Sequence, residues 1–404
     1  MKMITEPSRQ IPAVREVDVV VAGGGPAGIA AAIAAARNGA KTLLVERYGY
    51  LGGMITGSWV TWFLGFGDGQ KQVVRGLPDE FVRRLGEMGG LVNARNKSGD
   101  VNSDAEATKW LAIMMLEQAG VEMLLHSLVA AAIVEDNVVK GIVVENKSGR
   151  QAILAKVVVD ATADGDVAHF AGAETQTDNH DISFCLRVEG IDRPKFVEFK
   201  KANPAAWQKL LETLKAQGGV EPASTDKFSQ RSAIDVQDLT FIENQSRKRV
   251  IQGLMFMKKH VPGYENAKLA RTAPQLGVRE SRKIVGEYTL TEEDILASRK
   301  FPDTIGRCGA HMLGYQLYDV QGLDYDIPYR CLVPSNVENL LASGRCISAT
   351  HGAINTLRLI VPCMLSAEAA GTAAALAVCK GVPPRNIAIS ELQEKMRKQG
   401  NNLG

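Results

Sequence analysis

The chain has 404 residues, 45% of them hydrophobic and 23% charged, with a formal net charge of +2. That balance suits a folded enzyme of two or three domains and excludes disorder, collagen-like repeats and a disulfide scaffold. With so small a net charge, neither nucleic acid nor an anionic membrane surface is expected as the main partner.

The six cysteines begin at Cys185, and the closest two, Cys331 and Cys346, stand 15 residues apart. The absence of any CxxC or CxxxxC pair argues against a zinc knuckle and against a flavin disulfide reductase, so no metal is expected. The opening MKMITEPSRQIPAVREVD lacks the apolar core of a signal peptide, and no run reads as the roughly 20 apolar residues of a membrane span. The sequence reading is therefore a cytoplasmic protein without a membrane span.

The first element is VDVVVA from Val17, a β-branched run of the kind buried in a parallel sheet. It meets Gly23-Gly24-Gly25-Pro26-Ala27-Gly28 without a gap, and the alanine-rich segment from Ile29 to Arg37 predicts a helix. Asn38-Gly39 ends that helix, and Lys41 to Val45 forms a second strand that finishes at Glu46. In such a βαβ unit Gly23 makes the tight turn, Gly25 lets the backbone approach a pyrophosphate, and Gly28 permits close helix–strand packing. Glu46, 23 residues after Gly23, stands where a carboxylate accepts hydrogen bonds from ribose hydroxyls and disfavours a 2′-phosphate. A dinucleotide site is expected.

Arg47-Tyr48-Gly49-Tyr50-Leu51-Gly52-Gly53-Met54 follows at once, a stretch able to pass under a pyrophosphate and reach a flavin, which a nicotinamide enzyme does not need. A helix is predicted from Asp104 to Gln118, a strand from Val121 to Leu125, and a hairpin from Val129 to Val144 around Glu135-Asp136-Asn137. Lys156 to Asp160 is a strand running into Ala161-Thr162-Ala163-Asp164-Gly165-Asp166. Beyond Glu174 the texture changes to an alternating strand, Ile182 to Val188, and charged helices such as Arg247 to His260. This is read as an inserted α+β substrate domain over 175–325, between FAD-binding segments 1–174 and 326–404. Residues 191–300 hold 20 Lys+Arg against 14 Asp+Glu, which reads either as attraction for an anionic partner or as a lysine-studded solvated surface. Asn339 to Ser343 is a further strand running into Gly344-Arg345, and a long small-residue helix is predicted from Pro362 to Cys379. The tail predicts one short helix with Ser390 as N-cap and Gln393 at the capping-box position, a candidate homo-oligomer contact.

Taken in order, GGGPAG, ERYGYLGGM, VVVDATADGD, TAPQLGVRESRKIVGEYTLTEEDI, YDIPYRCLVP and NLLASGRCISATHGAINTLRLIVPCMLSAEAAGTAAALA resemble the FAD-dependent oxidoreductases of the glutathione-reductase-type fold, in the group related to succinate dehydrogenase and fumarate reductase flavoproteins. The resemblance covers most of the chain and implies an α/β, Rossmann-like FAD-binding domain. It implies FAD contacts at Gly23, Gly25, Gly28, Glu46, Arg47, Gly52, Gly53, Met54, Gly344 and Arg345, with Val129 meeting the adenine through its backbone. Ala163 stands where many of these proteins carry glycine. No histidine precedes His126, so the histidyl link of the succinate dehydrogenase type has no counterpart and FAD is expected to be non-covalent.

Flavin chemistry needs a bound substrate, a proton carrier and charge tuning. Arg279 and Arg282, three apart and expected on one helical face, are read as an anion clamp or as an ion-pair network with Glu280 and Glu287. His351, in the loop that the resemblance places along the isoalloxazine, is read as a proton shuttle or as a structural histidine. Arg358 would stabilise the reduced flavin; His311 and Tyr315 are weaker candidates; Cys346 and Cys363 read as small core residues. The expected function is hydride transfer between flavin and a small, anionic organic substrate, with an unknown electron donor or acceptor. The alternative is a flavin-dependent tRNA-modifying enzyme, which the near-neutral charge disfavours.

Overall fold

In the computed structural model, which describes residues 3–221, 226–313 and 316–404, the run at Val17 extends into a ten-residue strand, β1 (Ala13–Ala22). It is followed by α1 (Pro26–Arg37), β2 (Thr42–Val45), α2 (Ala105–Ala119), β3 (Glu122–Leu124), β4 (Leu128–Glu135), β5 (Val138–Asn146) and β6 (Gly149–Asp160). The C-terminal part adds β7 (Leu340–Ala342), α3 (His351–Leu357) and α4 (Ile360–Lys380). The sheet order is β3-β2-β1-β6-β5-β4, with β7 added on β6. β1 pairs in parallel with β2 and β6, and β7 runs parallel to the end of β6. Val19, Val20 and Val21 are fully buried because helices or strands cover both faces of this parallel centre.

The local predictions map closely onto these elements. α2 starts where expected, with the Asp104 carboxylate accepting from Ala107 N at 2.8 Å. The β4–β5 hairpin turns through Asp136 and Asn137, both at positive φ (48° and 62°), the signature of a tight turn matched to strand twist. α4 is predominantly apolar, and every residue from Ile360 to Ala377 is buried, Glu368 among them. By length and composition it is long enough to cross a membrane, contrary to the expectation that no such run exists, but its whole apolar stretch is covered by protein. The tail helix, Ile389–Lys398, has Ala388 rather than Ser390 at its N-cap, and Gln393 donates to the carbonyls of Pro302 (2.8 Å) and Thr304 (3.1 Å) instead of closing a capping box.

The chain divides into two compact units. The first comprises Met1–Thr56, Thr61–Thr177 and Arg282–Gly404; the second comprises Gly57–Val60 and Asp178–Ser281. The return to the first unit comes at Arg282, not after Tyr325 as the sequence suggested. Strand Arg282–Ile284 pairs with Thr175–Thr177, and Thr304–Cys308 pairs with Tyr325–Pro328, which ties this stretch into the first unit. In the second unit Ile182–Phe184 lies between Asp226–Phe228 and Gly277–Val278, and Leu186–Glu189 pairs with Lys268–Thr272. The alternating strand expected over Ile182–Val188 is thus two strands that break at Cys185. Helices Arg193–Ala202, Pro204–Ala216 and Val236–His260 complete the unit, with Trp207, Leu214, Met257 and Tyr264 in their core.

Candidate cofactor-binding site

The three glycines after β1 sit in three different local geometries. Gly23 is at φ +107°, and a Cβ there would stand 2.3 Å from the Ala161 carbonyl oxygen at the end of β6. At Gly28 an added Cβ would lie 1.7 Å from the Gly23 carbonyl oxygen, so only glycine lets α1 start this close to the strand. Gly25 differs: its Cβ would meet only Gly53 Cα, at 3.8 Å. The space beside Gly25 is therefore open rather than filled by packed protein. Gly25 is also the N-cap of α1, and no side chain caps the helix, leaving its first-turn N–H groups available to an anion.

The second glycine stretch is fastened to the first by a hydrogen bond from Gly52 N to the Gly24 carbonyl, 2.8 Å. Gly52 and Gly53 are at φ +100° and +48°, and a Cβ on Gly53 would stand 2.8 Å from Gly25 Cα. Two glycine turns thus form the two walls of one narrow cradle, leading to Met54 at the start of the short helix Met54–Gly57.

Glu46 closes the other end. Its carboxylate accepts from Gly24 N at 2.6 Å and from Tyr48 N at 2.8 Å, and the residue is only 7% exposed. Burial pushes its pKa up, and the two backbone donors pull it back. Each oxygen keeps a lone pair for a further donor such as a ribose hydroxyl. Arg47 is exposed; desolvation acts against its charge but is outweighed by Tyr48, Asp164, Glu46 and Asp166, which raise its pKa. Ser127 N donates to the Glu46 carbonyl at 2.9 Å, which brings the start of β4, with Val129, alongside this end.

Where β6 and β7 end, the sequence reading missed a network of buried charge. Asp160 is fully buried; its carboxylate accepts from Thr162 N (3.0 Å), Thr162 Oγ1 (2.6 Å) and Ala168 N (2.9 Å), while desolvation drives its pKa up to about 6. Arg345, 6% exposed, donates to Asp164 Oδ1 at 2.6 Å. Gly344, at φ +71°, sits where a Cβ would stand 2.7 Å from Ala27 Cβ, which presses this loop onto the first turn of α1. Ala163 adopts φ +70°, the left-handed conformation that explains why glycine suits this position; the chain holds it with an alanine.

Several catalytic expectations change. Arg279 and Arg282 are not on a helix: Gly277–Val278 and Arg282–Ile284 are short strands, with Arg279 in the second unit and Arg282 in the first. Arg282 donates through Nε to the Asp164 carbonyl at 2.9 Å and forms an ion pair with Asp166. It is a network member, as one reading held, although its partner is Asp166 rather than Glu280 or Glu287. His351 is the exposed first residue of α3, behind the Thr350 N-cap, and Arg358 caps the other end of that helix. His311 is buried, with Nδ1 2.7 Å from Asp319 Oδ1 and Nε2 3.4 Å from Glu292 Oε1. The signal for that pair was an aspartate eight residues on, across the hairpin of Met312–Leu313 and Gln316–Leu317. Tyr315 lies outside the described residues. Cys346 and Cys363 are buried; burial pushes the Cys363 thiol up to about 12 and that of Cys346 well above its usual value, so both behave as core residues.

Residues 18–396 match the profile of a family described as FAD dependent oxidoreductase. Among curated relatives, a thiamine thiazole synthase of Methanococcus vannielii is 33% identical over 156 residues, which is 36% of this chain and 56% of that protein. The thiamine thiazole synthase of Methanococcus maripaludis strain C7 is 30% identical over 164 residues, 38% of this chain and 59% of that protein. The chain thus spans under two thirds of the length of these relatives. Of solved structures, a geranylgeranyl bacteriochlorophyll reductase-like protein from Thermoplasma acidophilum aligns over 96% of this chain and 84% of its own, at 17% identity and a TM-score of 0.46.

Proposed function

The chain belongs to the FAD-dependent oxidoreductase family, and from that premise we propose that it transfers a hydride between bound flavin and a small, anionic organic molecule. The observation that carries this reading is the double-glycine cradle. It opens beside Gly25 at an uncapped helix N-terminus, is bounded by Glu46 at one end, and leads to Met54 at the other. When bound, FAD supplies hydride chemistry at its flavin N5.

The rest falls to this chain's own residues. Gly25, Gly53 and the first turn of α1 hold the pyrophosphate, Glu46 the adenosine ribose, and Arg345, fixed by Asp164, fills the wall beside Gly344. His351, exposed at the start of α3, is the proposed proton carrier for the substrate, because imidazole transfers protons near neutral pH. Arg282, committed to Asp164 and Asp166, is not the anion clamp.

The test is anaerobic mixing of the purified yellow protein with a panel of carboxylic acids, amines and sugars, with flavin absorbance as the readout. Bleaching by a carboxylic acid at a rate that His351→Ala slows at least tenfold is expected. Bleaching by neutral compounds only, or wild-type rates in the variant, would refute the proposed roles. FAD is expected to leave the protein on acid precipitation, and flavin retained in the pellet would mean a covalent link.

A further inference from the structure

Three local irregularities converge on one spot in the second unit. In the antiparallel ladder of Leu186–Glu189 with Lys268–Thr272, Arg187 stands directly opposite Arg271. Like charges in that position repel, and the other charged pair in this ladder, Glu189 opposite Lys268, shows the favourable arrangement. The register shifts between Arg187 and Val188, a bulge of the kind that re-aims side chains beside binding sites. Both guanidinium groups lie over the indole of Trp59, at 5.6 Å and 5.7 Å from its ring centroid. Trp59 itself is at φ +55°, a left-handed conformation that costs a bulky residue and that persists where surrounding structure imposes it.

Among the described residues no carboxylate pairs with Arg187 or Arg271, both of which are exposed. Elsewhere in the same unit arginine and lysine do find acids: Arg231 with Asp238 at 2.7 Å, Lys195 with Glu265 at 2.7 Å, and Arg247 with Glu243. Two positive charges opposite one another on a strained aromatic platform, with no acid beside them among the described residues, suit an anion from outside the chain.

We propose that Arg187, Arg271 and Trp59 form a binding site for the oxyanion of a small organic molecule, a carboxylate or a phosphate ester. Trp59 stands five residues beyond Met54 in the chain, in the short segment Gly57–Val60 that belongs to the second unit. The site deepens the reading of an anionic substrate, on which its assignment to substrate rather than effector rests. Repulsion between the guanidinium groups is relieved when an anion binds, so the planar forks grip a divalent or bidentate oxyanion more tightly than a halide.

Calorimetric titration of the FAD-loaded protein with inorganic phosphate and with succinate tests the site, and sodium chloride serves as the control for nonspecific charge. Saturable binding of at least one oxyanion is expected. Arg187→Gln and Arg271→Gln should each weaken it tenfold or more, while Lys268→Gln, on the same strand and facing Glu189, leaves it unchanged. FAD content per chain confirms that each variant is folded, and the two arginine variants are judged separately. Tighter binding of phosphate assigns a phosphate ester, and tighter binding of succinate a carboxylic acid. Binding that is absent, that chloride equals, or that survives both arginine changes would overturn the proposal. Failure of the hydride-transfer reading shows separately, as an anion that binds here but neither bleaches flavin nor competes with any compound that does.

Discussion

Replacing Glu46 with alanine is expected to cost the apoprotein stability as well as FAD affinity. Sequence alone casts this residue as a ribose acceptor, but the carboxylate already accepts from Gly24 N at 2.6 Å and Tyr48 N at 2.8 Å in a nearly solvent-free position. Hydrogen bonds to a charged acceptor contribute about 1.5–3 kcal/mol each, so two amount to roughly 3–6 kcal/mol before any recovery through water. Desolvation outweighs these donors in setting the raised Glu46 pKa, so the net loss comes mainly from the two backbone N–H groups left unpaired, about 1–3 kcal/mol each. That is a large share of the ~5–15 kcal/mol that holds a typical domain folded. Loss of the ribose bonds should lower FAD affinity by a further ten- to a hundredfold, about 1.5–3 kcal/mol. Glu46→Gln should fall between, since its amide keeps one acceptor oxygen but presents an NH₂ to the other backbone donor. Urea unfolding of the apoprotein gives the first quantity and FAD titration the second. An apoprotein of Glu46→Ala with the wild-type urea midpoint would refute the claim that the carboxylate builds its own turn.

The glycines give a sharper contrast. Gly28→Ala drives a Cβ to 1.7 Å from the Gly23 carbonyl oxygen and should prevent the first βαβ unit from forming, whereas Gly25→Ala meets only Gly53 Cα at 3.8 Å and should fold normally while losing FAD affinity at least tenfold. A Gly25→Ala protein that binds FAD like the wild type would place the pyrophosphate elsewhere. Stability should also respond to Glu368, which burial pushes up to about 7 despite donors from Leu77 N (2.9 Å) and Asn401 Nδ2 (2.8 Å). Its folded pKa exceeds the unfolded value of 4.5, so the native state binds more protons between those values and loses stability as pH rises through that window. The penalty is absent below the window and complete above it. Glu368→Gln should therefore compare more favourably with the wild type at pH 8 than at pH 5 in urea unfolding, and an equal difference at both pH values would contradict the assignment.

The parts of this protein that were legible in its sequence are those written in consecutive residues. The β-branched run at Val17, the spacing of Gly23, Gly25 and Gly28, and the Asp104 cap each declare a local geometry that tertiary packing then keeps. Arg279 and Arg282 misled because a spacing of three suggests a helix only where apolar residues share the period, and GVRESRK supplies none. The apolar stretch of α4 illustrates the same limit: burial inside protein and burial inside lipid select one composition. What stayed hidden was assembled from distant segments. Trp59 meets Arg187 and Arg271 through a four-residue excursion, Gly57–Val60, that carries no pattern of its own. Arg345 finds Asp164 only once β7 has been laid beside β6.

The position of α4 has a consequence for how the chain matures. Gly371 lies so close to α1 that a Cβ there would stand 2.1 Å from the Ala31 carbonyl oxygen, and the alanine face of α1 is buried. The first βαβ unit ends at Val45 and the helix that packs against it begins only at Ile360, so the unit leaves the ribosome well before its partner. Until residues 360–380 emerge, one face of α1 stays exposed. Pairing across so long a separation is slow, and the waiting intermediate presents apolar surface to its neighbours. Truncation before α4 should accordingly yield an aggregating chain rather than a smaller flavoprotein, even though every cradle glycine would still be present.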